Sequence, residues 1–468
     1  MTKCEMSNVK CEIPLSFRSA RFFMLGFLMN ACVHAAVVLP PVISDGMVLQ
    51  ADLAVPIFGT AGAGESVTVE FNGQKKTATA GADGKWLVKL DPMKAGGPFE
   101  LKVGGTVIKD VLVGEVWLAS GQSNMRFPLS KATGGTEDIA KSANPKLRYF
   151  MGGKWVQFSP QTAPNFAAVA YYFATELHSH VKSPVGIIEN AVNGAIIQTF
   201  MSPESINADP AVAAVVERHS KAADQPASSH WKNIEALIPF GIKGAIWCQG
   251  EGNRDFPQTY PKLFSAMLSD WRKRWGVGDF PFLYVQLGNF GPRTPEPTEG
   301  RDCVIRETQL QSLSIPNTAL VVAIDLGIEK DVHYPNKKPV GVRLARAARA
   351  LAYGEKIEYS GPLFKDAKIE GGKAVVSFTH VGGGLAAKDG AALKGFTLCG
   401  ADKKFVRAEA KIEGQTVVVS SPNVPAPAAV RYGWERNPDC NLINKEELPA
   451  SPFRSDKFEN YFTRDSNE

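Results

Sequence analysis

The sequence is poor in cysteine, and its cysteines lack the spacing of metal ligands. Seven occur among 468 residues, and those beyond residue 35 are widely separated: Cys248, Cys303, Cys399 and Cys440. Cysteine zinc sites typically place two ligands only about two to four residues apart. We therefore expect no metal site and interpret each cysteine as a buried thiol. Cys399 and Cys440 lie in the same C-terminal region, and the sequence does not decide whether they pair.

The chain also lacks clusters of like charge and long apolar runs. Its net charge of +5 is spread along the sequence rather than gathered in a basic stripe, so we expect no nucleic-acid partner. The apolar run at residues 22–29 is too short to anchor the chain across a bilayer. An apolar fraction of 44% is typical of a globular protein.

The first 35 residues have the pattern of a secretory signal peptide. Four basic side chains precede the apolar run, and Val33-His-Ala35 offers a small-x-small cleavage pattern. We expect removal of residues 1–35 and a periplasmic or extracellular protein; the alternative is an ordinary buried helix. Met29-Asn-Ala-Cys32 is a poor lipoprotein box, and the sequence does not decide whether Cys32 is lipidated.

The remaining chain predicts three domains and a tail. Residues 36–112 alternate apolar and polar side chains between turns, which indicates a small β-sandwich-like domain. Residues 113–355 alternate apolar strands with helices, which indicates a parallel sheet covered on both faces. Residues 356–452 return to short strands, and residues 453–468 form a polar surface tail. The predicted fold class is α/β with a small β-domain at each end.

Polar loops follow the predicted strands of the middle domain. Strands are expected at residues 115–119, 185–191, 243–248, 282–286 and 319–325, and helices at 169–181, 260–275 and 339–353. Glycine-containing polar segments begin directly after four of these strands, at Gly121, Asn193, Gln249 and Asp325. Because parallel strands end at one edge of a sheet, and open α/β sheets bind ligands there, we expect these loops to form one site.

Ser123 has the setting of a nucleophilic serine. It follows a buried strand in Gly121-Gln-Ser-Asn-Met125, where a tight turn can project a hydroxyl clear of the sheet and hold it rigidly. The alternative for this segment taken alone is a strand followed by an ordinary polar turn.

His333 is the histidine best placed to act as the base. It follows the last predicted parallel strand and precedes a helix, and Asp331 lies two residues before it. A carboxylate beside an imidazole fixes its tautomer and stabilises the imidazolium formed on proton transfer. The other histidines fall in the signal peptide, helices, a loop or the C-terminal β-domain: His34, His178, His180, His219, His230 and His380.

An oxyanion hole requires hydrogen-bond donors near the serine. The backbone N–H groups of Ser123 and Gly194 are candidates, with the side chain of Gln249 or Asn193 as a third donor. Glu251 lies at the same edge of the sheet. One role for it is to orient an oxyanion donor or His333, and the other is to brace its own loop. We favour the bracing role.

These motifs resemble the sialate O-acetylesterase family of SGNH hydrolases. The resemblance rests on Gly121-Gln-Ser-Asn-Met125, Trp247-Cys-Gln-Gly-Glu251 and Asp331-Val-His333. It extends over nearly the whole mature chain and implies an exported esterase that removes acetyl groups from sugar hydroxyls. Ser123 would be the nucleophile, His333 the base and Asp331 its partner, with Gln122, Asn193 and Glu251 as possible supporting residues. The resemblance implies no cofactor and no metal.

The motifs depart from the family pattern at several positions. Cys248 stands where tyrosine is usual, Gly252 where serine is usual and Tyr334 where proline follows the histidine. These differences leave the sugar open. The Asp-x-His spacing is one residue tighter than in many SGNH enzymes, so Glu251 is a reserve candidate for the partner of His333.

Three functions are therefore weighed. The first is an O-acetylesterase acting on sialic acid or related glycans, and the second is an esterase acting on acetylxylan or another glycan. The third is a glycan-binding protein whose hydrolase domain is inactive, against which the intact Ser123, Asp331 and His333 argue. The sequence does not indicate an oligomeric state.

Overall fold

The computed structural model describes residues 36–459, so the predicted signal peptide lies outside the described residues. The N-terminal strands are β1 (Val48–Gln50), β2 (Val55–Thr60), β3 (Ser66–Phe71), β4 (Gln74–Thr79), β5 (Lys85–Leu90) and β6 (Gly96–Val103). β2 pairs with β5, and β3 pairs with β4 and β6, all antiparallel. In β5 the side chains of Trp86, Val88 and Leu90 are buried and those between them are exposed, the alternation of a strand that packs one face on a core.

A 16-residue strand, β7 (Thr106–Gly121), belongs to both the N-terminal sheet and the parallel sheet. Its first half pairs antiparallel with β6, and residues 112–114 pair in parallel with β1. Its second half lies between two parallel strands of the middle domain. The domain boundary predicted after residue 112 falls within β7, which crosses it without a break.

The other strands of this sheet are β8 (Asn144–Met151), β9 (Lys154–Phe158), β10 (Val185–Ala191), β11 (Gly244–Cys248), β12 (Phe282–Val285) and β13 (Thr318–Val321). Their order is β13-β12-β11-β7-β10-β8-β9. All neighbours are parallel except the hairpin of β8 and β9. The predicted parallel sheet is therefore confirmed, and it contains the hairpin in addition to the five expected strands.

The helices are α1 (Ser123–Arg126), α2 (Gly135–Ala140), α3 (Ala168–Val181), α4 (Pro203–Asn207), α5 (Pro210–Ala223), α6 (Trp231–Glu235), α7 (Tyr260–Trp275), α8 (Arg301–Gln311) and α9 (Lys338–Tyr353). The expected helices correspond to α3, α7 and α9 within one residue. Short 3-10 turns lie at Leu129–Lys131, Ala163–Asn165, Ile197–Phe200, Glu251–Asn253, Pro257–Thr259, Ser312–Ser314 and Lys388–Gly390.

Helices cover both faces of the parallel sheet. α7 buries Leu263, Phe264 and Trp271 in the core on one face, while α3 and α9 bury theirs on the other. α9 approaches α3 closely at Gly341, where a Cβ atom would lie 2.5 Å from the Cβ of Tyr172. Glycine is needed there because no larger side chain fits between the helices.

The C-terminal part contains β14 (Leu363–Glu370), β15 (Lys373–Thr379), β16 (Leu385–Ala387), β17 (Phe396–Cys399), β18 (Val406–Arg407), β19 (Glu409–Glu413), β20 (Thr416–Ser420), β21 (Ala429–Tyr432), β22 (Leu442–Asn444) and β23 (Phe453–Arg454). Two four-stranded sheets, β14-β15-β20-β19 and β18-β17-β21-β23, and the pair β16-β22 form this part. Residues 453–454, where the tail was expected to begin, thus form the last strand. The predicted fold class, an α/β sheet with smaller β-regions at both ends, is confirmed.

Two further observations concern the described residues alone. Within residues 36–459, no helix is long and apolar enough to cross a membrane. The four cysteines of this part of the chain are thiols, and three of them are buried.

Candidate active site

Ser123 lies where β7 ends, and two backbone features fix its turn. Gly121 has a φ of 127°, and a Cβ at this position would lie 2.1 Å from the carbonyl oxygen of Cys248. Only glycine permits both the conformation and this close approach. The N–H of Gln122 donates to the same carbonyl at 2.8 Å. Ser123 then begins α1, so its hydroxyl is held at the carboxyl edge of the sheet.

The structure brings Ser123, His333 and Asp331 together in one line of contacts. Ser123 Oγ lies 2.8 Å from His333 Nε2, and His333 Nδ1 lies 3.0 Å from Asp331 Oδ1. Because an ionised carboxylate only accepts hydrogen bonds, the ring carries its proton on Nδ1 and leaves Nε2 free to accept from the serine. This arrangement can deprotonate a hydroxyl.

Asp331 is ionised over a wide pH range. The backbone N–H of His333 donates to its Oδ1 at 2.8 Å. This hydrogen bond, followed by the contact with the His333 ring, lowers the pKa of Asp331 below its ordinary value. The carboxylate side chain is 55% exposed, so water screens its charge.

Glu251 contacts Asn124 rather than His333. Its Oε1 accepts from Asn124 Nδ2 at 2.5 Å, whereas the carboxylate within hydrogen-bonding distance of the His333 ring is that of Asp331. Gln122 braces the same loop from the other side, since its Oε1 accepts from the N–H groups of Gly250 and Gly252 at 3.4 and 3.2 Å. The bracing role of Glu251 stays a prediction.

The predicted oxyanion donors differ in their solvent exposure and in the hydrogen bonds that they already make. The Gln249 amide donates to Ala195 O at 3.2 Å and to Asn253 Oδ1 at 2.6 Å. Both of its hydrogens are thus used, so Gln249 reaches an oxyanion only if its amide leaves these acceptors. Gly194 is exposed with a φ of 71°, and nothing lies within 4 Å of a Cβ built there. Asn193 is also exposed. The oxyanion roles stay predictions.

Sequence reasoning missed Lys337, which lies beneath the site. Its side chain is fully buried, and its Nζ donates to Asn124 Oδ1 at 2.5 Å. Burial lowers the pKa of Lys337 from 10.5 to about 8. No periodicity marks this residue in the sequence, because it precedes α9 in a polar loop.

Comparison with known proteins gives a consistent family assignment. The family model for the carbohydrate esterases described as sialic acid-specific acetylesterases matches residues 113–350, just over half of the chain. The human sialate O-acetylesterase is 28% identical, with 88% of this chain and 91% of that protein covered. The mouse sialate O-acetylesterase is 27% identical, with 72% and 78% covered.

A solved structure agrees in fold over almost the whole chain. The crystal structure of a carbohydrate acetylesterase from Xanthomonas citri is 39% identical, with 90% of this chain and 100% of that chain covered, and superposes with a TM-score of 0.83. The similarity spans the N- and C-terminal β-regions as well as the parallel sheet. The resemblance seen in the motifs is confirmed, and the chain is an esterase that belongs to the sialic acid-specific acetylesterase family of carbohydrate esterases.

Proposed function

We propose that this esterase removes O-acetyl groups from sialic acid or a related glycan through an acyl-serine intermediate. Ser123 Oγ attacks the acetyl carbonyl carbon while His333 Nε2 takes the serine proton. His333 returns that proton to the sugar oxygen as the ester bond breaks, which leaves acetyl-Ser123 and a free sugar hydroxyl. Water, deprotonated by His333, then releases acetate and restores Ser123.

The observation that carries this proposal is the continuous contact from Ser123 through His333 to Asp331, at 2.8 and 3.0 Å. These distances permit proton transfer without rearrangement of the side chains. Asp331 is ionised and stabilises the imidazolium that forms at each step. His333 takes the serine proton through Nε2, which the contact of Nδ1 with Asp331 leaves free to accept.

The oxyanion would be stabilised by backbone N–H groups of Ser123 and Gly194. One such donor typically stabilises the transition state by about 3 kcal/mol. Gly194 lies in an exposed turn where the substrate can approach its backbone. Gln249 joins them if substrate binding draws its amide away from Ala195 and Asn253.

The sugar is the least constrained part of the proposal. The curated relatives are named as sialate O-acetylesterases at 27–28% identity, which favours acetylated sialic acid. The relative at 39% identity is described only as a carbohydrate acetylesterase, with no sugar named, so acetylxylan or another acetylated glycan is the second candidate. The signal-peptide pattern of residues 1–35 supports action outside the cytoplasm.

Acetate release tests the reaction and its nucleophile together. Wild type and Ser123→Ala are compared on O-acetylated sialic acid and on acetylated xylan. The matched control is Ser179→Ala, which makes the same change at an exposed position of α3. We expect wild type and the control to release acetate equally and Ser123→Ala to release none. Equal rates for Ser123→Ala and wild type would refute the acyl-serine route, and the preferred substrate would decide between the two sugars.

A further inference from the structure

The side chain of Asn124 connects three separate segments of the site. It follows Ser123 in α1, and its Nδ2 donates to Glu251 Oε1 at 2.5 Å and to Val332 O at 3.2 Å. Val332 is the residue between Asp331 and His333. One amide group therefore ties the nucleophile turn to the loop that carries the base and to the loop after β11.

Lys337 and the two acceptors of Asn124 favour the same orientation of this amide. A lysine ammonium has donors only, and it donates to Asn124 Oδ1 at 2.5 Å. If the amide turned over, its oxygen would face the acceptors of Glu251 and Val332, and its N–H groups would face an ammonium. The ammonium therefore permits a single arrangement of Asn124.

The surroundings of Lys337 stabilise its positive charge only in part. Its Nζ lies 3.6 Å from the centre of the Tyr334 ring and 5.1 Å from that of Phe127, and aromatic faces attract cations. The charge is fully buried, and lysine is rarely buried without a partner. Packing alone would be satisfied by an apolar chain of similar length, so the ammonium has a role that its volume does not explain.

We propose that Lys337 is a positioning residue of the esterase reaction: by orienting Asn124, it fixes the base loop against the turn that carries Ser123. This inference rests on the proposed roles of Ser123 and His333. Lys337 does not touch the reacting atoms, and it acts through Asn124. Small displacements between a nucleophile and its base lower the rate strongly, and about 1 Å can cost a factor of about 100.

The charge on Lys337 makes this positioning sensitive to alkaline pH. The titratable groups that face it are Cys248 and Glu251 from β11 and its loop, and Asp331 and Tyr334 from the base loop. Burial lowers the pKa of Lys337 to about 8, against the opposing effect of the two carboxylates and the Cys248 thiol. Loss of the proton leaves a weaker donor to Asn124, so kcat declines above that pH.

The test compares Lys337→Met and Lys337→Arg with wild type in the hydrolysis of 4-nitrophenyl acetate across neutral and alkaline pH. Lys338→Met is the matched control, because it makes the same change at the next residue, whose side chain is 57% exposed and pairs with Asp138. We expect Lys337→Met to lower kcat about 10- to 100-fold with KM changed less than about twofold, and the control to match wild type.

Lys337→Arg keeps a charge that does not titrate in this range. We therefore expect it to lose the decline in kcat that wild type shows above about pH 8. An unchanged kcat in Lys337→Met overturns the proposal, as does an alkaline decline at the same pH in wild type and Lys337→Arg. If Lys337→Met does not fold, as judged by circular dichroism, the pH profiles of wild type and Lys337→Arg decide alone.

Failure of this inference is distinct from failure of the proposed function. If Ser123→Ala keeps wild-type activity on the same ester, the acyl-serine route is wrong. If Ser123→Ala is inactive and the Lys337 variants behave as wild type, the route stands and the positioning role is wrong.

Discussion

Replacing Asp331 with alanine tests whether this carboxylate is the working partner of His333. Its Oδ1 accepts the backbone N–H of His333 at 2.8 Å and lies 3.0 Å from the ring Nδ1. Alanine removes both contacts at once. The ring then loses the acceptor that fixes its tautomer, and the loop loses a hydrogen bond that shapes its turn.

The expected loss of kcat in Asp331→Ala is limited by the exposure of the Asp331 side chain to solvent. A hydrogen bond to a charged group contributes about 1.5–3 kcal/mol, and the lower end applies here because the Asp331 side chain is 55% exposed and screened by water. A barrier change of about 1.4 kcal/mol corresponds to about tenfold in rate. We therefore expect kcat to fall about 10- to 30-fold, far less than the roughly 10⁴-fold loss seen when a buried triad aspartate is altered in a serine protease.

Initial rates of 4-nitrophenyl acetate hydrolysis measure this loss, and Glu251→Gln provides the comparison. Glutamine keeps an oxygen that can accept from Asn124, so its loss of kcat is expected to be smaller than that of Asp331→Ala. The reasoning is refuted if Asp331→Ala retains the wild-type rate, or if Glu251→Gln loses more activity than Asp331→Ala. The second result would show that the charge of Glu251, acting on Asn124, matters more for the rate than the carboxylate beside His333.

Three further predictions concern stability. Burial lowers the pKa of Lys337 from 10.5 to about 8, so between these pH values the unfolded chain binds more protons than the folded chain. The free energy of unfolding of wild type should therefore rise with pH in this range relative to that of Lys337→Met. Urea unfolding at several pH values measures the difference. Gln122→Ala leaves two loop N–H groups without their acceptor and should cost about 1–3 kcal/mol, visible as a lower urea midpoint. Gly341→Ala places a Cβ 2.5 Å from that of Tyr172 and should destabilise the fold by about 1–3 kcal/mol; an unchanged midpoint would show that α3 and α9 separate easily.

The sequence predicted those parts of the site that depend on strand order. The strands that became β11 and β12 are continuous apolar runs, and β10 begins with four apolar residues, so their carboxyl ends and the loops after them could be located without coordinates. The same argument, applied to the apolar runs that became the second half of β7 and β13, placed Ser123 and His333 at that edge of the sheet. β8 was missed because Pro145 and Lys146 interrupt its apolar pattern, although Arg148 within it is buried and pairs with Asp110.

Contacts between distant side chains could not be predicted in this way. A buried lysine has the same sequence appearance as a surface lysine, and only the approach of Asn124 and Tyr334 distinguishes Lys337 from Lys338. The Gln249 amide is a similar case, because its orientation is set by Ala195 and Asn253 from other segments. Sequence patterns report which face of an element is apolar, and they do not report which polar groups meet across the core.

The continuity of β7 limits how the protein can be divided. The strand that ends beside Ser123 pairs over its first half with β6 and β1. A shortened protein that began at residue 113 would leave the backbone edges of Val113 and Gly114 unpaired, because β1 pairs with both residues and β6 pairs with Val113 in the whole chain. Such an unpaired edge favours aggregation. The N-terminal β-region is thus not an exchangeable module, and grafting a different one onto this esterase would require a replacement strand that continues into the nucleophile turn in the same register.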